Sequence, residues 1–119
     1  MNLAGLRVLI VEDEVLVAML MEEYLLELGC NVMGIAADLD DALEKAHSVE
    51  LDAAVVDVNL AGRSSYQVGQ VLRDRGVWVI MATGYGAGSL PPEFQGTPLL
   101  SKPFHQEQLA DALQLARRG

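Results

Sequence analysis

The 119 residues are 51% hydrophobic and 21% charged, enough for one domain spanning 1–119 to bury a core without staples. Seventeen acids against eight bases give a formal charge of −9, without the basic footprint that nucleic-acid binding needs, so no nucleic-acid partner is expected. No apolar run approaches the roughly 20 residues of a membrane span, no signal peptide opens the chain, and the single Cys30 excludes an internal disulfide.

In chain order, Leu6–Val11 is a short β-rich run that delivers Glu12, Asp13 and Glu14 at its end. A helical pattern follows from about Glu14 to Leu28, and Gly29 suits the residue just past its end. Within it Val15 to Met21 is apolar without a break. A core-facing helix needs only a stripe, so part of this surface is expected to be exposed and to mark an interaction site. Asn31–Ala36 can form a second strand, and Asp38 can cap a helix running to about His47. Ala53–Asp57 reads as a third strand, continuously apolar as burial on both faces demands. It nevertheless stops on a carboxylate, Asp57, followed by the small or loop-forming Asn59, Ala61 and Gly62.

Ser64 or Ser65 can cap the next helix, which ends near Arg75-Gly76. Val77–Ala82 is the fourth strand. The segment GYGAGSLPPEFQG holds four glycines and the adjacent Pro91 and Pro92, so at most one short helical turn is expected there, in a mobile region. Leu99–Ser101 makes a short fifth strand. Gln106–Arg117 is a last amphipathic helix, with Leu109, Leu113 and Leu115 among its apolar residues and Arg117-Arg118 complementing its dipole.

Strands alternating with helices through short connections predict a doubly wound α/β fold, a parallel sheet with helices on both sides. Ligands of such sheets bind outside the carboxyl ends of the strands. Those ends carry Glu12, Asp13, Glu14, Asp57, Thr83 and Lys102: several acids, one hydroxyl and one ammonium. Clustered carboxylates take up protons or hold a cation, and Mg²⁺ suits oxygen ligands that leave room for water and phosphate. A carboxylate beside Mg²⁺ can also act as a nucleophile and form an aspartyl-phosphate. The phosphoryl charge then needs the metal, a lysine and a hydroxyl, and Asp13, Asp57, Thr83 and Lys102 fill those roles.

With VEDE after strand one, DVNLAG after strand three, ATG after strand four and SKPF after strand five, the chain resembles the receiver domain of bacterial two-component response regulators over essentially its whole length. The resemblance implies a flavodoxin-like, five-stranded sheet of order 2-1-3-4-5 with a fourth helix short or mobile. With the last helix closing the sequence no output domain is expected, and without a signal-peptide pattern a place in the cytoplasm is expected. The resemblance also implies that Asp57 accepts a phosphoryl group from a histidine kinase or histidine phosphotransfer protein. Mg²⁺ would be held by Asp13, Asp57 and the Asn59 backbone carbonyl, with Glu12 acting through water. Lys102 and Thr83, flanked by Ala82 and Gly84, would serve the phosphoryl oxygens, and the Lys102–Pro103 peptide would be cis. Receiver domains dock their kinases with the first helix and the loop after strand five, so Val15, Ala18, Pro103 and Phe104 are expected to contact the partner. Tyr85 and Asn59 stand where they could tune the phosphate lifetime. Such a protein is a phosphoacceptor that catalyses its own phosphorylation and dephosphorylation, not an enzyme with a separate substrate, and it acts on a protein target by contact.

Three features depart from the family pattern. Glu12-Asp13 replaces the commoner Asp-Asp pair, Leu99 occupies the position of a switch aromatic, and the proline pair cuts into the segment of the fourth helix. MATGYG is similar to a subgroup of stand-alone regulators with a Phe-Ala-Thr-Gly motif, Met81 replacing the phenylalanine. A pseudo-receiver that is never phosphorylated is one alternative. An aspartate-nucleophile phosphatase is another, although it needs an acid where Asn59 stands. Gly84-x-Gly86-x-Gly88 reads as a loop, not a dinucleotide site, and His47 and His105 lack metal-ligand spacing.

Overall fold

The computed structural model describes residues 3–84 and 90–118. Its elements are β1 (Arg7–Val11), α1 (Val15–Glu27), β2 (Asn31–Ala36), α2 (Leu39–Ser48), β3 (Ala53–Asp57), β4 (Asn59–Leu60), β5 (Arg63–Ser64), α3 (Tyr66–Asp74), β6 (Trp78–Thr83), a 3₁₀ turn at Pro92–Phe94, β7 (Leu99–Ser101) and α4 (Gln106–Arg118). The main sheet has the order β2-β1-β3-β6-β7 with every pair parallel. This is the expected 2-1-3-4-5 order, β6 and β7 being the fourth and fifth strands. Among the described residues no helix is long and apolar enough to cross a membrane.

Each face of the sheet buries its own cluster. Val8, Ile10, Val55 and Ile80 pack under α1 and α4 with Met21, Leu25, Leu109 and Leu113. Leu9, Val11, Val56, Val79 and Met81 pack under α2 and α3 with Ala42, Ala46, Val68 and Leu72. Cys30 lies in the first cluster, 3% exposed, as a small core residue. Leu115, read as part of the apolar side of α4, is instead 57% exposed. One residue before the buried Ala116, it has rotated away from the sheet.

Local chemistry explains the element ends. Gly29 adopts a φ of +87°, its N–H reaching the Leu26 carbonyl while the Cys30 N–H reaches Leu25, which is a Schellman end to α1. Asp38 caps α2 by accepting the Asp41 N–H at 2.8 Å. The two serines expected at the start of α3 divide the work between them. Ser65 occupies the N-cap position but makes no side-chain cap bond. Its hydroxyl donates to the Asp57 carbonyl, while Ser64 Oγ accepts the Tyr66 N–H at 3.3 Å.

The hairpin of β4 and β5 was not foreseen. Ala61 and Gly62 have φ of 50° and 88°, the left-handed pair that a two-residue connection demands, and Asn59 Oδ1 accepts the Gly62 N–H at 2.7 Å. The hairpin plugs the second cluster with Leu60, 1% exposed.

Where the sequence allowed one short helical turn, the 3₁₀ turn stands and buries Phe94 to 2%. The expected mobility concerned a stretch of which residues 85–89 lie outside the described residues. Phe94 stacks on Tyr66 with ring centroids 5.5 Å apart, and the Arg73 guanidinium covers it at 5.1 Å. Gly69 makes room: a Cβ there would lie 2.9 Å from Met81 Cε and 3.0 Å from Phe94 Cε1. At the opposite, N-terminal end of the strands, Arg7 clamps Asp52 with Nε and a terminal nitrogen, both at 3.0 Å. Trp78 opens β6 there, half-buried under the Arg117 guanidinium at 5.7 Å.

Candidate functional site

Parallel register carries every strand to the same edge. Val11 pairs with Val56, Asp57 with Ala82, and Thr83 with Ser101, so the residues at those ends converge. They surround a cleft of about 250 Å³ lined by Asp13, Glu14, Asp57, Asn59, Thr83 and Lys102, among others. Glu12, Asp57 and Thr83 are buried, at 1%, 4% and 1% exposure. Carboxylate oxygens from Glu12, Asp13 and Asp57 all lie within 4.8 Å of one another.

Lys102 offsets part of this negative charge. Its ammonium donates to Glu12 Oε1 at 3.1 Å, to Asp57 Oδ2 at 3.1 Å and to Glu14 Oε1 at 3.3 Å. The other Asp57 oxygen accepts the Asn59 N–H at 3.3 Å, and Glu12 Oε2 accepts the Glu14 N–H at 3.1 Å. Burial pushes the Glu12 carboxyl up to about 7, with the Asp57 charge adding to the rise against its bonds to the Glu14 N–H and Lys102. Burial by itself would lower the Lys102 pKa, but hydrogen bonds to Glu12 and Asp57 raise it above its ordinary value.

The backbone fixes these groups firmly. Lys102 N–H donates to the Thr83 carbonyl at 2.8 Å and Val58 N–H to the Ala82 carbonyl at 2.9 Å, so β7, β6 and the end of β3 are laced together at the edge. The Lys102–Pro103 peptide is cis. Of the site residues read from sequence, Asp13, Asp57, Asn59, Thr83, Gly84 and Lys102 line the cleft, and Glu12 stands beneath it. The Ala82 side chain is in the core and contributes its backbone. Tyr85 lies outside the described residues.

The docking set needs correction. Val15 is 69% exposed, but Ala18 and Phe104 are 3% and 7% exposed, because both pack into the cluster under α1 and α4. The apolar surface of the N-terminal half of α1 is formed by Val15, Leu16, Met19 and Leu20. Beside it runs an apolar groove of about 340 Å³ lined by Val17, Leu20, Tyr24, Pro103 and Phe104, with Glu14 and Lys102 shared between groove and cleft. Two residues hold contacts at the site that the sequence did not give. Ser65 is fully buried with its hydroxyl on the Asp57 carbonyl. Glu14 was counted only as one of the strand-end acids, and its pairing with Lys102 emerges from the geometry.

A set of oxygen ligands, one lysine and one hydroxyl at a sheet edge suits Mg²⁺ and a phosphate group. The model of the response regulator receiver domain matches residues 8–114. The structure of SdrG from Sphingomonas melonis Fr1 aligns with a TM-score of 0.86 at 35% identity, covering 98% of this chain and 99% of that one. PhyR from Brucella abortus aligns with a TM-score of 0.81 at 30% identity, over 95% of this chain and 48% of its own. The transcriptional regulatory protein TcrA of Mycobacterium tuberculosis is 34% identical over 126 residues, 99% of this chain and 49% of that protein. The chain thus spans about half the length of the curated relatives it matches, 56% in the case of PdtaR from the same species. On this sequence match and this shared fold, the chain belongs to the response regulator receiver domain family.

Proposed function

We propose that this chain is a single receiver unit of the cytoplasm that works as a phosphorylation-dependent switch, taking a phosphoryl group on Asp57 from a histidine kinase or histidine phosphotransfer protein and acting through protein–protein contacts. The observation that carries this reading is the state of Asp57. It is 4% exposed, with one oxygen on the Asn59 N–H, the other on Lys102, and the Glu12 and Asp13 carboxylates within 4.8 Å. An acid with a purely structural role has no need of a cleft that opens onto it.

The residues fit Mg²⁺. Asp13, Asp57 and the Asn59 carbonyl would hold it directly and Glu12 through water. When bound, the ion neutralises charge that develops on the transferring phosphoryl group. Asp57 supplies the attacking oxygen, and its bond to phosphorus forms as the donor's bond to phosphorus breaks. Lys102 and the Thr83 hydroxyl balance the charge on the phosphoryl oxygens. The chain is thereby a phosphoacceptor whose acyl phosphate is later hydrolysed by water to the free Asp57 carboxylate and inorganic phosphate. Asn59 stands close enough to Asp57 to influence that step.

The test is the intact mass after incubation with Mg²⁺ and acetyl phosphate, alongside Asp57→Asn. We expect a phosphoryl increment on the wild type, lost in the variant and lost when Mg²⁺ is chelated. No increment at any Mg²⁺ concentration would favour the pseudo-receiver reading, which the half-buried Leu99 at the aromatic switch position supports.

A further inference from the structure

We propose that Glu14 is a latch on Lys102, a positioning residue that parks one of the three ammonium donors and must release it before a phosphoryl group can be bound. The inference rests on the reading of Asp57 as phosphoacceptor and adds a specific obstacle to it. A lysine ammonium has three N–H donors and no more. In this structure carboxylates take all three: Glu12 at 3.1 Å, Asp57 at 3.1 Å and Glu14 at 3.3 Å. A phosphoryl oxygen that reaches Lys102 therefore has to displace one of them.

The three are not equally easy to displace. The Glu12 side chain is 0% exposed, and its second oxygen is already bound to the Glu14 N–H, so leaving Lys102 would strand a buried carboxylate. Asp57 carries the accepting oxygen itself and is 6% exposed at the side chain. Glu14, by contrast, is 61% exposed and can swing into water at little cost, an exposed ion pair being worth little. Its backbone stays tethered through the bond to Glu12, and its side chain makes no cap bond to α1. Release thus changes nothing but the Lys102 contact. Glu14 also lines both the acidic cleft and the apolar groove beside α1, so it stands where a docked partner would meet it.

The test compares wild type, Glu14→Gln and Glu14→Asp by two measurements with Mg²⁺ present. The first is the initial rate of Asp57 phosphorylation by acetyl phosphate, in which the Asp57–phosphorus bond forms and acetate leaves. The second is the affinity for beryllofluoride, a phosphoryl mimic that needs no transfer, read from backbone NMR shifts. A latch predicts that both variants gain about two- to fivefold in rate and in affinity, the size of one exposed ion pair. Aspartate keeps the charge but is a methylene too short to hold Lys102. A gain in glutamine alone would overturn the latch and leave only the charge at the cleft mouth. Equality of all three proteins in both measurements would also overturn it. Absence of phosphorylation in every protein, with beryllofluoride affinity still raised in both variants, would sink the phosphoacceptor reading and keep the latch. No beryllofluoride binding by any of them would overturn the latch as well.

Discussion

Glu12 shows what it costs to assemble acids at a sheet edge. Its carboxyl is held up to about 7 from an ordinary 4.5, first by burial and then by the Asp57 charge. An acid whose folded-state pKa is raised favours folding most when protonated. The contribution is therefore fully present below about 4.5 and is lost as pH rises toward about 7. We expect the thermal midpoint of the metal-free protein to fall across that window, by up to about 3 kcal/mol of stability at roughly 1.4 kcal/mol per pKa unit. Calorimetry at a series of pH values checks this, and Glu12→Gln should flatten the curve. Mg²⁺ should stabilise the wild type more above pH 7 than below it, because binding requires the ionised carboxylates. At this scale the sequence was informative wherever a side chain ends a strand, since strand ends of a parallel sheet meet. It did not give the partners of Ser65 and Glu14, because position at a helix start does not say which of two nearby acceptors or donors a side chain will choose.

Among the elements, the short turn at Pro92–Phe94 does the covering that a longer helix would otherwise do. Phe94 lies against Tyr66, Arg73, Gly69 and Met81. Phe94→Ala should cost about 3–5 kcal/mol, the range for emptying a buried aromatic site, and a urea titration would show it. A loss under about 1 kcal/mol would mean that the turn collapses onto α3 without penalty. α1 gives the complementary lesson. Its C-terminus was legible because Gly29 admits the left-handed geometry of a Schellman end. Which of its seven consecutive apolar residues faces the sheet was not legible, because an unbroken run has no phase. The buried set is Ala18, Met21 and Leu25, spaced as one helical face. Ala18→Glu is thus expected to destabilise the fold by several kcal/mol through a buried, unpaired charge, which makes it a poor probe of docking. The β4/β5 hairpin escaped notice for a simpler reason: strands of two residues are too short to show a period.

For the whole molecule, two kinds of surface lie side by side. One is the acidic cleft, the other the apolar strip of Val15, Leu16, Met19 and Leu20, with exposures of 69%, 81%, 56% and 42%. Leu16→Glu should leave stability within about 0.5 kcal/mol of wild type, as surface changes usually do. It should slow phosphotransfer from a protein donor while acetyl phosphate works unchanged. Equal loss with both donors would remove the strip from the docking surface. The parallel sheet was readable from the alternation of strands and helices and its order from the resemblance to receiver domains, but the division of α1 between core and surface needed three dimensions.

The placement of Trp78 has a practical consequence. It is the only tryptophan in the chain, and it begins the strand that Thr83 ends. At about 3.3 Å per residue the two are about 16 Å apart along β6. Intrinsic fluorescence excited in the tryptophan band therefore reports on the foot of the sheet, under Arg117, and not on the acidic edge. Unfolding can be followed optically in the presence of Mg²⁺ or a phosphodonor with no signal from the ligands themselves. Any change in that emission on phosphorylation would be a direct record of movement carried through the length of one strand.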